Sequence, residues 1–172
     1  VSPAESLLLR YADLAVPAGD LGGRVAMVKL NGGLGTSMGL TRAKSMLEVK
    51  PGLTFLDVIA QQALKAELPL VLMNSFSTHD DTMGTLADRH PELAERGLVR
   101  AFLQNRFPKI EVVGDRVRPL SLDDDKLNWN PPGHGDLYPS ILISGVLDEL
   151  LAQGVEVAFV SNSDNLGAVM DR

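Results

Sequence analysis

The run Val25-Ala26-Met27-Val28-Lys29-Leu30 passes without a break into Asn31-Gly32-Gly33-Leu34-Gly35. A short apolar stretch with β-branched residues reads as a buried strand, and glycines directly after it let a ligand come close to the backbone. An apolar strand feeding a glycine-rich loop is the layout of a phosphate- or nucleotide-binding strand-to-helix turn. The bland alternative is a tight turn followed by a surface lysine, Lys44. Two familiar loop patterns are excluded at once. The dinucleotide fingerprint starting at Gly33 needs glycine or alanine at position 38, which is Met38. A Walker A loop ending in Lys44-Ser45 fails at Ala43 and again at Met38.

The rest of the chain alternates strands and helices. Residues 2–15 read as a helix with Ser2 as N-cap and Pro3 at its first position, and Gly19 to Gly23 break the pattern. Thr54 and Asp57 form a capping box ahead of Leu56, Ile59, Ala60, Ala63 and Leu64, which fall on one helical face. Residues 68–73, 98–104 and 155–160 read as further apolar strands, with helices from Ser77 or Thr78 toward Arg89, over 91–96, and over 141–151 up to Gly154. Residues 111–120 read as a hairpin turning at Gly114-Asp115, and 121–132 as irregular polar chain. This order predicts an α/β fold with a mainly parallel (mixed) sheet, flanked by helices on both faces. The polar segments at 31–39, 74–78, 104–109 and 162–165 each follow a strand, so they are expected to meet in one cleft beyond the strands' carboxyl ends.

Composition narrows the partners. With 172 residues and 45% hydrophobic content the chain can bury one core, and 22% charged residues is ordinary for a folded domain. A net charge of −6 argues against a general nucleic-acid or anionic-membrane binder. It leaves room for a single nucleotide, which backbone N–H groups, one or two cations and a metal can hold. The sequence has no cysteine, which excludes disulfides and thiolate metal sites and points to a reducing, cytoplasmic setting. Its longest apolar runs, such as 140–151, are too short to span a bilayer, and Glu5, Arg10 and Asp13 interrupt any signal-like stretch near the start.

At the glycine loop the residues become specific. Lys29-Leu30-Asn31-Gly32-Gly33-Leu34-Gly35-Thr36-Ser37-Met38-Gly39, with Lys44-Ser45 after it, closely resembles the signature loop of the eukaryotic-type UTP–glucose-1-phosphate uridylyltransferases. The resemblance continues through Phe55-Leu56-Asp57, Leu70-Val71-Leu72-Met73-Asn74-Ser75-Phe76 and Gln104-Asn105-Arg106-Phe107-Pro108-Lys109. It extends to Trp129-Asn130-Pro131-Pro132-Gly133-His134-Gly135-Asp136 and to Phe159 through Ala168, in the family's order and over nearly the whole chain.

The resemblance implies a Rossmann-like, GT-A-like nucleotidyltransferase domain that is incomplete here, acting on UTP and glucose 1-phosphate with Mg²⁺. It assigns Leu30, Asn31, Gly32 and Gly33 to the uracil and ribose through backbone contacts, and Lys44 to the phosphates in a catalytic role. Gln104 matches the residue that reads the uracil edge, and Gly133 the glycine that approaches the base. His134 should face the sugar phosphate, Asn162 the sugar, and Asp164 should ligate Mg²⁺ beside the nucleotide. His79 and His90 are read as structural, and Asp123-Asp124-Asp125 as a solvated loop.

Two departures matter. Many relatives carry Cys-Lys-Gly-Pro-Lys-Ser where this chain has Leu40-Thr41-Arg42-Ala43-Lys44-Ser45, so the earlier lysine is Thr41, with Arg42 beside it. The family fold also continues past position 172, so this chain is expected to be an N-terminal part, inactive alone. Two rival readings stand: an N-acetylhexosamine uridylyltransferase, whose Ala-Gly-Gly-Gln-Gly-Thr-Arg-Leu-Gly loop fits poorly, and a non-catalytic UTP-binding module.

Overall fold

The computed structural model describes residues 23–34 and 42–169, together with Asp13. Apart from Asp13 the helix expected over 2–15 lies outside these residues, as do Gly19 and loop residues 35–41, including Thr41. In chain order the elements are β1 (Val25–Asn31), β2 (Glu48–Lys50), β3 (Leu53–Thr54), α1 (Phe55–Ala66), β4 (Leu70–Asn74), α2 (His79–Arg89) and α3 (Glu92–Glu95). They continue with β5 (Val99–Leu103), β6 (Phe107–Pro108), β7 (Ile110–Val113), β8 (Arg116–Pro119) and β9 (Trp129–Asn130). The last are α4 (Leu137–Ile143), α5 (Val146–Ala152) and β10 (Val157–Asn162).

The main sheet has four strands in the order β10-β1-β4-β5, and every pairing in it is parallel. Alternation along β1 explains how it is covered. Ala26 and Val28 pack with Val71, Met73 and Phe102 against Leu137, Val146 and Leu150 of α4 and α5. Met27 faces the other way, with Leu70 and Leu72, onto Leu56, Ile59, Ala60 and Ala63 of α1, Leu86 of α2 and Leu93 of α3. Burial on both faces is what a parallel sheet needs, and each fully buried leucine or isoleucine contributes about 1.5–3 kcal/mol. The expected architecture is present, and among the described residues antiparallel strand pairing occurs in the ribbons β2–β3, β6–β9 and β7–β8, outside the main sheet.

Local signals behave as read at α1. The Thr54 hydroxyl accepts from Asp57 N at 3.2 Å, and the Asp57 carboxylate accepts from Thr54 N at 2.7 Å. Three expectations need correction. The single helix over 141–151 is two helices, because Gly145 at φ 80 takes a left-handed turn that separates α4 from α5. The last strand starts two residues later than expected, since Glu156 N and Val157 N are still bonded to Arg24 O. Residues 121–132 are not wholly irregular: Trp129 and Asn130 pair with Pro108 and Phe107.

Candidate functional site

β1, β4 and β10 end together in asparagines, with Asn31 paired to Asn74 in register and Leu30 to Asn162. The cleft is built on these ends. Its floor is a buried polar cluster. Asn31 Nδ2 donates to Asn74 Oδ1 at 2.8 Å and to Thr82 Oγ1 at 3.0 Å. The Thr78 hydroxyl donates to Asn31 O at 2.8 Å, and Thr82 Oγ1 to Thr78 O at 2.6 Å. Asn74 O accepts from Gln104 N at 2.8 Å, while Asn74 Nδ2 lies 3.3 Å from His79 Nδ1. The Asn31 side chain therefore belongs to the scaffold, and its buried Oδ1 has no hydrogen-bond partner among the described residues.

Gln104 is buried, and its carboxamide lies against Gly32 in the space a Cβ there would occupy. A side chain at 32 would displace the end of Gln104. The chain returns to the cleft after the glycine loop through an isolated antiparallel bridge between Leu34 and Ala43, with Lys44 N donating to Gly33 O at 3.2 Å. Lys44 Nζ then stands 3.7 Å from Asp164 Oδ2, each side chain more than a third exposed at 37% and 41%. Asp164 follows β10, whose end is tied to β1 by Ser163 N donating to Leu30 O at 3.1 Å.

His134 comes from the opposite wall. Gly133 adopts φ 103, which side-chain-bearing residues rarely take, and a short 3₁₀ turn follows over His134–Asp136. The Asp136 carboxylate accepts from Asn105 N at 2.6 Å, Asn105 Nδ2 at 2.9 Å and the Ser140 hydroxyl at 2.6 Å. Burial alone would raise its pKa, but these hydrogen bonds outweigh burial and hold the carboxyl below the usual range.

Leu30, Gly33, Lys44, His134, Asn162, Ser163 and Asp164 line one small cleft. Six of these residues are among those singled out in the sequence. Asn31 lies beneath the cleft, Gly32 and Gln104 pack on one another without lining it, and Gly133 turns the chain into His134. Arg42 is exposed and does not line it. Among the described residues no three carboxylate or histidine groups gather as a metal cluster, and Asp164 is the one carboxylate among those lining the cleft. Asp125 accepts from Trp129 Nε1 at 3.1 Å, and Arg106 stacks on the Trp129 ring at 4.5 Å from its centroid.

Several residues that support the cleft carry no motif of their own. Lys29 is fully buried, donates to Ser161 Oγ at 2.7 Å and Ala168 O at 3.3 Å, and has no carboxylate partner among the described residues. Burial pushes its ammonium pKa below the ordinary lysine value. A lysine between Val28 and Leu30 in an apolar strand was the available signal. Asn74, Thr78, Asn105 and Asp136 sat in or beside quoted segments, without anything local to mark their partners.

The sequence model of the UTP--glucose-1-phosphate uridylyltransferase family matches residues 2–172. The Solanum tuberosum enzyme of that name is 43% identical over 183 aligned residues, covering 99% of this chain and 38% of the relative. The Saccharomyces cerevisiae enzyme is 46% identical over 154, covering 86% of this chain and 30% of its own length. A mutant UDP-glucose pyrophosphorylase from Leishmania major, solved in complex with UDP-glucose, superposes with a TM-score of 0.82 at 41% identity, covering 95% of this chain and 36% of that one. The chain spans well under half the length of these relatives. By sequence over nearly its whole length and by fold, it belongs to the UTP–glucose-1-phosphate uridylyltransferase family.

Proposed function

We propose that the natural protein bearing this chain makes UDP-glucose and pyrophosphate from UTP and glucose 1-phosphate, and that this chain supplies the nucleotide-holding part of the site. The observation that carries the reading is the convergence of Leu30, Gly33, Lys44, His134, Asn162 and Asp164 on one cleft at the strand ends. In this reading the backbone of Leu30, Asn31, Gly32 and Gly33 meets the uracil and ribose. Asn31 does so only through its peptide, since its side chain is turned into the floor. Gln104 offers one donor and one acceptor, the complement of the uracil N3–H and its neighbouring carbonyl. Gly133 approaches the base, His134 the sugar phosphate and Asn162 the sugar.

A phosphate oxygen of glucose 1-phosphate attacks the α-phosphorus of UTP and forms a new P–O bond. The bond from that phosphorus to the oxygen bridging the β-phosphorus breaks, and its electron pair leaves on pyrophosphate. No covalent enzyme intermediate is needed. The protein's work is alignment and charge neutralisation, with Lys44 as the catalytic cation. Asp164 fits Mg²⁺ in the mode where one or two carboxylates anchor the ion and phosphates and water complete its shell. When bound, Mg²⁺ would supply further positive charge at the phosphates. A cytoplasmic setting is part of the proposal, resting on the cysteine-free sequence; no described helix is long and apolar enough to cross a membrane.

The test is an assay of UDP-glucose formation by the natural-length protein. Lys44→Met should lower kcat about a hundredfold, the typical cost of one lost charge-stabilising contact. This chain alone should be inactive. Turnover of N-acetylglucosamine 1-phosphate in preference to glucose 1-phosphate would contradict the reading, as would full activity in Lys44→Met.

A further inference from the structure

Resting on that reading, we infer that Asp136 is a positioning residue for base selection, locking the strand end at Gln104-Asn105 to the turn that carries Gly133 and His134. Two peptide units flank the Gln104 Cα. The N–H of the preceding unit, Gln104 N, donates to Asn74 O at 2.8 Å. The N–H of the following unit, Asn105 N, donates to Asp136 Oδ2 at 2.6 Å. With both units pinned, the backbone torsions of Gln104 are set, and so is the direction in which its side chain leaves the chain. The first pin is sheet-like and belongs to the fold. The second is one side chain.

That side chain is suited to the task only as a carboxylate. All three of its partners donate: Asn105 N and the Ser140 hydroxyl to Oδ2, and Asn105 Nδ2 at 2.9 Å to Oδ1. Hydrogen bonds to an ionised acceptor are shorter and stronger than neutral ones, as the two at 2.6 Å are. Asn105 Nδ2 also lies 3.3 Å from Ser140 Oγ, which closes the lock onto α4. A second and independent tether holds the same two segments together farther out, where Phe107 pairs with Asn130 and Pro108 with Trp129. Loss of the carboxylate therefore leaves the segments joined and the sheet intact, while the peptide after Gln104 is freed.

The consequence is a specific one. Gln104 already packs on Gly32, so a small rotation of its Cα–Cβ direction moves its donor and acceptor relative to the loop. Asp136 thus acts on the choice of base through Gln104, with no contact to substrate of its own.

The experiment measures kcat/KM for UTP and for CTP in the natural-length protein, with Asp136→Ala, Asp136→Asn, Gln104→Ala and the Asp136→Ala/Gln104→Ala double variant, each checked for folding by thermal melting. Gln104→Ala reports on the base-reading role itself. The UTP/CTP ratio should fall about tenfold or more in Asp136→Ala, as expected when a hydrogen-bonding site is misaligned. It should fall less in Asp136→Asn, which keeps one carbonyl acceptor for Asn105 N. In the Gln104→Ala background, Asp136→Ala should change the ratio no further. Should Asp136→Ala fail to fold, Asp136→Asn carries the test with the same expected direction. Equal losses toward UTP and CTP, or no loss, would overturn the role of Asp136 alone. An unchanged ratio in Gln104→Ala would instead overturn the base-reading role, and this inference with it.

Discussion

Beneath the cleft, Asn31, Asn74, Thr78 and Thr82 form a buried cluster of neutral amides and hydroxyls that hold one another at 2.6–3.0 Å. Across its mouth, Lys44 and Asp164 face each other at 3.7 Å with more than a third of each side chain exposed. The floor cannot exchange its partners for water, so every lost partner costs the desolvation of the group left behind. The wall pair sits in a high-dielectric setting where an ion pair contributes about 0–1 kcal/mol. A charged ligand can displace it at little cost. The contrast separates what holds the site in place from what is free to meet a ligand.

Asn74→Ala removes the acceptor for Asn31 Nδ2 inside the cluster and should cost about 2–3 kcal/mol of stability, read by urea unfolding. A loss below about 0.5 kcal/mol, the range of ordinary surface changes, would show that the floor is not the rigid part.

A third polar cluster sharpens the contrast because it is buried like the floor yet ionic. Asp57 accepts from Thr54, His90 Nε2 at 2.9 Å and Arg89 at 3.0 Å, joining the start of α1 to the end of α2. Burial raises its pKa, but hydrogen bonds from the Thr54 backbone and hydroxyl and from His90, with the Arg89 charge, outweigh this and set it below the usual value of 3.8. A folded pKa below the unfolded one gives stability that is present above about pH 4 and lost as pH falls through the folded value. Asp57→Asn should therefore cost about 1–2 kcal/mol at pH 7 and flatten the acid limb of the stability–pH curve below pH 4. An unchanged acid limb would assign the linkage elsewhere.

At the boundary between floor and wall, Gly32→Ala should move the Gln104 carboxamide and weaken UTP binding at least about tenfold, or 1.4 kcal/mol. Its unfolding midpoint should change little, because the displaced atom is the end of a flexible side chain. The smallest stability effect is expected at the wall. Lys44→Met should shift unfolding by less than about 0.5 kcal/mol while depressing turnover. A large loss of stability there would erase the distinction.

What was legible in the sequence follows the same division. β1 with its glycine loop, the Thr54–Asp57 cap and the turn at Gly114 could be read because each signal lies within a few residues of its effect. The break at Gly145 was passed over because apolar residues resume at once with Val146 and Leu147, although Ser144-Gly145 is a turn signal of its own. The β6–β9 pair escaped because two-residue strands joined across an excursion leave no period to detect. At the site, six of the seven residues that line the cleft were legible from their motifs. Asn31 was assigned through its backbone, and its side chain answers to Asn74 and Thr82, which are 43 and 51 residues away. Distance of that kind is also why Asp136 was passed over: its partner Asn105 lies 31 residues back.

The most direct measurement is isothermal titration calorimetry of the natural-length protein with UTP and Mg²⁺, repeated with ATP and with the Gln104→Ala variant. The account predicts binding of UTP in preference to ATP, weakened about tenfold or more in Gln104→Ala. Equal binding of the two nucleotides, or UTP binding untouched by Gln104→Ala, would contradict the claim that these strand ends form a uracil-reading site.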